Sequence, residues 1–215
     1  MGFSNRLWGG VLAVLLLGAA ATSQETAHIT VVVNDAVGVT PSLLLRAENE
    51  AGRLFEHAGI EIEWRNCGRS IQEDVEDCRI HGTNRFVLHI VHTGQAVSDS
   101  VFGVAFLGED GGGKYSDVFF DRIVETVSSS NVPLVPLLAA VSAHELGHLL
   151  LGTHSHSFAG IMEARWQKQS LWKIAVGSLY FTHEQARSMR GRLDRRTFPV
   201  QMTAFERTGK YNCEY

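Results

Sequence analysis

The chain has 215 residues, 45% of them hydrophobic and 20% charged, with a formal net charge of -4. That is enough apolar sequence for one domain with a substantial core. No basic run or basic helix face occurs, which excludes the usual electrostatic footprint of a nucleic-acid partner.

The first 23 residues read as a targeting segment. Arg6 supplies the positive start, Leu7 to Ala21 is apolar around Val11 to Leu17, and Ala19-Ala20-Ala21 or Ala21-Thr22-Ser23 offers small residues for cleavage. The run is too short and too broken by glycine for a comfortable membrane span, with an uncleaved anchor as the alternative. The expectation is a secreted or periplasmic protein, not stably inserted in the membrane once cleaved, with a single domain over residues 24–215. Its oligomeric state is not legible. Export implies an oxidising compartment. Cys67 and Cys78 bracket a polar, acidic loop and are the predicted disulfide; Cys213 is the odd thiol, and pairings that use it stay open.

His28 to Val33 is β-branched and apolar and predicts a buried strand. Pro41 then opens a helix, with Leu43, Leu44, Ala47, Ala51, Leu54, Phe55 and Ala58 on one face and Gly59 as its stop. Ile60 to Trp64 alternates and predicts a second strand, so the first third is a strand-helix-strand unit with a parallel, right-handed crossover. Arg85 to Val91 is a third strand, whose His89 and neighbour His92 read as structural. Phe102 to Leu107 is a fourth, carrying Gly103. Gly108 to Lys114 is a glycine-rich turn without a phosphate-binding pattern, and Tyr115 to Asp121 is a fifth strand. Two strands joined by a short turn are antiparallel, and the resulting edge can pair with an extended peptide. Pro133 and Pro136 introduce an apolar helix that ends at Gly152, and Thr182 with Gln185 starts a last helix that runs to about Leu193.

The apolar helix carries His144-Glu145-Leu146-Gly147-His148. Positions i and i+4 share a helical face, so both imidazoles can approach one ion, and Glu145 can reach a water on it. Zinc takes nitrogen ligands in a tetrahedron and in hydrolytic sites keeps one position for water; a carboxylate beside that water can act as general base. His154 and His156 follow the helix, and Gly160-Ile161-Met162 follows them.

These residues resemble the metzincin clan of zinc endopeptidases, and within it matrixin-type catalytic domains. The matching pieces are His144-Glu145-x-x-His148, a helix ended by glycine, a further His, and a Met-turn at Met162. The strand Gly103, Val104, Ala105, Phe106 and the later strand Ser116 to Asp121 resemble the matrixin edge strand and its neighbour. The string from Leu149 to Met162 is also similar to exported bacterial members of the clan. The resemblance implies a twisted, mixed five-stranded sheet with an antiparallel edge strand, an active-site helix, a Met-turn and a C-terminal helix, in an α+β (α/β-like) fold. It implies one catalytic Zn2+ on His144, His148 and a third His, with Glu145 as general base and Met162 as an apolar support. The family spacing H-E-x-x-H-x-x-G-x-x-H puts the third ligand at His154. Here the glycine falls one residue late, which turns the chain by about 100°; the His-Ser pair before Gly-Ile-Met makes His156 the favoured ligand and His154 the alternative. The substrate is expected to lie along Gly103 to Phe106. The segment Glu163 to Leu179, with Trp166, Leu171, Trp172 and Leu179, is expected to wall an apolar specificity pocket. No cysteine-bearing prosegment precedes the first strand, and a calcium site is an option only through Asp110, Asp117 and Asp121.

The expected function is an exported zinc metalloendopeptidase acting on peptide or protein substrates through a metal-activated water. Two rivals remain: a non-catalytic zinc-binding interaction protein on the same scaffold, and a zinc amidase acting on cell wall.

Overall fold

The computed structural model describes residues 26–67, 78, 82–94 and 101–197. The targeting segment and Cys213 lie outside them. Five strands form one sheet in the order β2-β1-β3-β5-β4. They are β1 (Ala27–Asp35), β2 (Ile60–Cys67), β3 (Arg85–Val91), β4 (Gly103–Phe106) and β5 (Tyr115–Phe119). β1 pairs in parallel with both β2 and β3, and β3 with β5; β4 alone runs antiparallel, on the outer side of β5. The parallel core reads as near-continuous apolar runs because both of its faces are largely covered: Val31, Val32 and Val33 are each at most 1% exposed.

The first helix, α1 (Pro41–Glu56), has Pro at its first turn, where the missing N–H costs nothing. The turn that follows it closes at Gly59, whose N–H donates to the Glu56 carbonyl at 2.9 Å and whose φ of 73° puts it in the left-handed region. Its buried Ala47, Ala51, Leu54 and Phe55 lie against the long helix α3 (Leu134–Leu151). α3 starts after Pro133 and is buried almost all round, since the sheet, α1 and later helices surround it. Among the described residues it alone is long and apolar enough to cross a membrane, yet most of it is buried inside the protein. Leu137, Leu138, Leu146, Leu149 and Leu150 are at most 1% exposed, and burial of each contributes about 1.5–3 kcal/mol.

Two helices depart from the expectations. The strand expected to reach Asp121 ends at Phe119, and α2 (Phe120–Ser129) begins at once, burying Ile123. Its spacing of Phe120, Ile123 and Val127 is helical, but the apolar start reads equally well as strand. The segment after Met162 contains α4 (Lys168–Ala175), which buries Ser170 and Ile174. The last helix, α5 (His183–Thr197), opens on the expected reciprocal cap and runs one turn further than expected. The Gln185 N–H donates to Thr182 Oγ1 at 3.2 Å, and the Thr182 N–H donates to Gln185 Oε1 at 2.8 Å. Arginines on α5 then tie down other helix ends: Arg190 donates to the Ala58 carbonyl and Arg196 to the Leu149 carbonyl at the end of α3. Cys67 and Cys78 form the expected disulfide, with a Cα separation of 5.9 Å.

Candidate metal centre

His144 and His148 stand one turn apart on α3, with their Nε2 atoms 3.1 Å from each other. Each ring is held from behind. His144 Nδ1 lies 2.8 Å from the Ile161 carbonyl oxygen, and His148 Nδ1 lies 2.7 Å from that of Thr153. A carbonyl can only accept, so both Nδ1 atoms carry the hydrogen and both Nε2 lone pairs face the shared space.

The chain beyond α3 is folded to supply those two acceptors and a third imidazole. Gly152 takes φ 66°, its N–H donates to the His148 carbonyl at 2.8 Å, and the resulting turn returns the Thr153 carbonyl to the His148 ring. Further on, the Ser157 N–H donates to the Met162 carbonyl at 2.8 Å, and Gln185 on α5 donates to Ser157 Oγ at 2.9 Å. The Ile161 N–H donates to the Tyr180 carbonyl at 3.1 Å. Gly160 permits this close approach: a Cβ there would sit 2.5 Å from the Tyr180 oxygen. His156 is therefore carried by a loop stitched at both ends.

The His156 ring centroid lies 5.3 Å from that of His144 and 4.9 Å from that of His148. One nitrogen from each of His144, His148 and His156 falls in a group whose members lie within 4.8 Å of one another. His154 stands off, its ring centroid 6.1 Å from that of His148, and it is not in the group. The favoured third candidate, His156, is thus the one brought to the pair, and the alternative, His154, is not. Three imidazoles whose basicity burial lowers fit a divalent ion of the borderline-soft class.

Glu145 shares the cleft floor with His144 and His148, packs toward β4 and is 5% exposed. Gly103 makes the room: a Cβ at that position would lie 2.6 Å from the Asp117 carbonyl oxygen, 2.7 Å from Glu145 Cγ and 2.8 Å from its Oε1. The edge-strand glycine that weakens β4 as a strand is what lets a carboxylate pack against its backbone. Met162 lies beneath the site, 1% exposed, in the turn closed by the Glu163 N–H and the Gly160 carbonyl. A Cβ on Gly147 would lie 2.6 Å from Met162 Sδ, so Gly147 separates the two histidines with an empty place that the thioether occupies.

Burial dominates the electrostatics. It pushes His144 and His148 down to about 4, with neighbouring imidazoles adding to the fall, and it lowers His156 in the same direction. It pushes Glu145 up to about 8, with Asp117 adding to the rise. The site thus keeps its nitrogens unprotonated and its carboxyl protonated until a cation arrives to favour the carboxylate.

His89 and His92 are paired as structural residues: His89 Nδ1 lies 3.1 Å from Asp117 Oδ1, and His92 Nδ1 lies 3.0 Å from Asp121 Oδ1. Asp110 accepts the Gly112 N–H at 2.8 Å. The three aspartates of the calcium option are engaged separately, and among the described residues the three histidines are the one such group of metal donors. Around the site runs a cleft of about 420 Å³. Val101 to Ala105 form one bank and Glu163 to Trp166 the other, with Val141, His144, Glu145 and His148 as the floor. The two backbone acceptors and the clearance at Gly103 escape sequence reading, because neither leaves a side-chain signature.

Family models contain no match to the chain, and curated proteins give none. Solved structures do. Archaemetzincin from Methanopyrus kandleri aligns at 18% identity over 81% of this chain and 99% of its own, with a TM-score of 0.49. A zinc-dependent peptidase from Methanocorpusculum labreanum aligns at 15% identity over 75% of this chain and 99% of its own, with a TM-score of 0.50. At such identity the second likeness is one of fold: the chain has a mixed α/β architecture similar to that of a zinc peptidase.

Two outcomes follow for the purified protein. In a zinc titration read by calorimetry, His156→Ala weakens binding at least about 100-fold, whereas His154→Ala stays within a few-fold of the parent. For chelated protein, the folded state holds a proton on Glu145 up to about pH 8, whereas an unfolded Glu releases it near the usual value of 4.5. The unfolded state therefore binds fewer protons between those limits, and stability falls as pH rises through them. Glu145→Gln removes this dependence, so thermal melts of the chelated variant should gain on the parent by several degrees between pH 5 and pH 8.

Proposed function

We propose that the protein is an exported zinc-dependent endopeptidase of metzincin type. The observation that carries this reading is the convergence of three imidazoles, two of them locked by backbone carbonyls, beside a buried carboxyl group on the same helix. The donor set suits Zn2+, held by His144, His148 and His156. Such an ion supplies Lewis acidity, which polarises a peptide carbonyl and acidifies a water. The likeness in fold to a zinc-dependent peptidase and the buried turn at Met162 support the assignment. Export is supported by the apolar segment Leu7 to Ala21 and by the Cys67–Cys78 disulfide, a bond that persists in oxidising compartments.

Glu145 does the proton work. As a carboxylate it takes a proton from the attacking water, and the same carboxyl group passes that proton to the departing amine, leaving a free carboxylate product and an amine. Its burial against Gly103 matters, because it holds the carboxyl group in one place for both transfers. The peptide lies extended along β4. Among the described residues β5 is the only sheet partner of this strand and its other edge is open, and an added strand would satisfy its outward N–H and C=O groups. Phe106 is 51% exposed at the far end of that edge and offers apolar contact.

Glu145→Gln keeps the shape of the side chain and removes the base. The expected result is a fall in kcat of about 10³-fold on an unstructured protein such as casein, with zinc content unchanged by elemental analysis. Full activity in the variant, or no hydrolysis by the zinc-loaded parent of any peptide or protein offered, contradicts the assignment.

A further inference from the structure

The two banks of the cleft do not stay apart along its whole length. Gly103, at the start of β4, abuts Glu145, and Gly113, which abuts the Phe106 carbonyl at the end of β4, lies 3.0 Å from Leu149 by its absent Cβ. β4 and α3 therefore run side by side in the same sense. Phe102, just before Gly103, therefore lies on the Val141 side of Glu145, and both Phe102 and Val141 line the cleft. There its ring meets Trp166 from the opposite bank, with centroids 6.1 Å apart and planes 26° from parallel. That is an offset stack in contact.

Both partners are anchored. The Phe102 carbonyl accepts the Phe119 N–H at 2.8 Å, which ties its backbone to the end of β5. Trp166 Nε1 donates to the Ile161 carbonyl at 3.2 Å, the same oxygen that orients His144. The Trp166 ring also meets the His144 ring edge-on, with centroids 5.7 Å apart and planes at 88°. Swinging the indole aside would break a hydrogen bond and two ring contacts at once, next to a metal ligand.

We propose that the Phe102–Trp166 pair closes the Val141 end of the cleft and restricts the residue bound there, beside the scissile bond, to a small side chain such as Gly, Ala or Ser. The inference rests on the peptidase reading for its substrate, but the closure itself is a property of the two rings. An apolar wall rejects an oversized group by steric exclusion, and the missing volume of one indole is large enough to admit a phenyl ring.

Binding of a non-hydrolysed probe separates the two readings. The probes are a matched pair of peptide hydroxamates whose branch next to the chelating head is methyl in one and benzyl in the other, titrated into zinc-loaded protein by calorimetry. The parent should bind the methyl probe at least about tenfold more tightly. Trp166→Ala should invert the order, with the benzyl probe gaining at least about tenfold. Phe102→Ala, which leaves the Ile161 hydrogen bonds in place, should move the order the same way. Trp166→Phe keeps a ring and loses only the N–H, and should preserve the methyl preference. Equal binding of the two probes by the parent, or an unchanged order in both alanine variants with zinc retained, overturns the closure. Inversion of the order in a protein that hydrolyses nothing leaves the closure standing and sinks the peptidase reading alone.

Discussion

Two hydrogen bonds from imidazole to backbone carbonyl organise this molecule. His144 to Ile161 and His148 to Thr153 decide which nitrogen of each ring faces the site. Neither acceptor belongs to α3. Thr153 is delivered by the left-handed Gly152, and Ile161 by a loop held to Tyr180 and, through Ser157, to Gln185. The folding of the stretch after the helix and the tautomers of the helix histidines are thus one event. α5 contributes from a distance, since it pins the carbonyl of Leu149 as well as the loop that carries His156.

The same constraint explains the electrostatic character of the centre. Burying two imidazoles and a carboxyl group costs least when all are neutral, and the shifts of His144, His148 and Glu145 run in that direction. A divalent cation reverses the balance for the carboxyl group and exploits the state of the nitrogens. Met162 below and Trp166 beside His144 make the buried side of the centre apolar, while His156 faces the open cleft. Gly103 and Gly147 admit Glu145 and Met162 to places that any side chain would fill.

Much of this was legible in the chain itself. The alternation of Ile60 to Trp64, the β-branched run from His28 and the helical face of α1 announced the parallel unit, and the glycine-rich turn before Tyr115 announced the antiparallel edge. The Thr182–Gln185 cap appeared where its pattern put it. The His144 and His148 pair was evident from spacing alone. The choice between His154 and His156 was harder, because both lie on a loop whose course depends on contacts with Met162 and α5. α2 escaped because Phe119 and Phe120 prolong an apolar strand pattern across the boundary where the chain turns helical. The Phe102–Trp166 contact joins residues 64 positions apart in the numbering and leaves no periodic trace.

The most direct measurement is the position of the ion itself. Crystals of the zinc-loaded protein, with data collected at the zinc absorption edge, should give one anomalous peak about 2.0–2.1 Å from a nitrogen of each of His144, His148 and His156. The Nδ1 hydrogen bonds to Ile161 and Thr153 should persist. A peak that involves His154 in place of His156, or zinc bound away from α3 altogether, would contradict the centre described above.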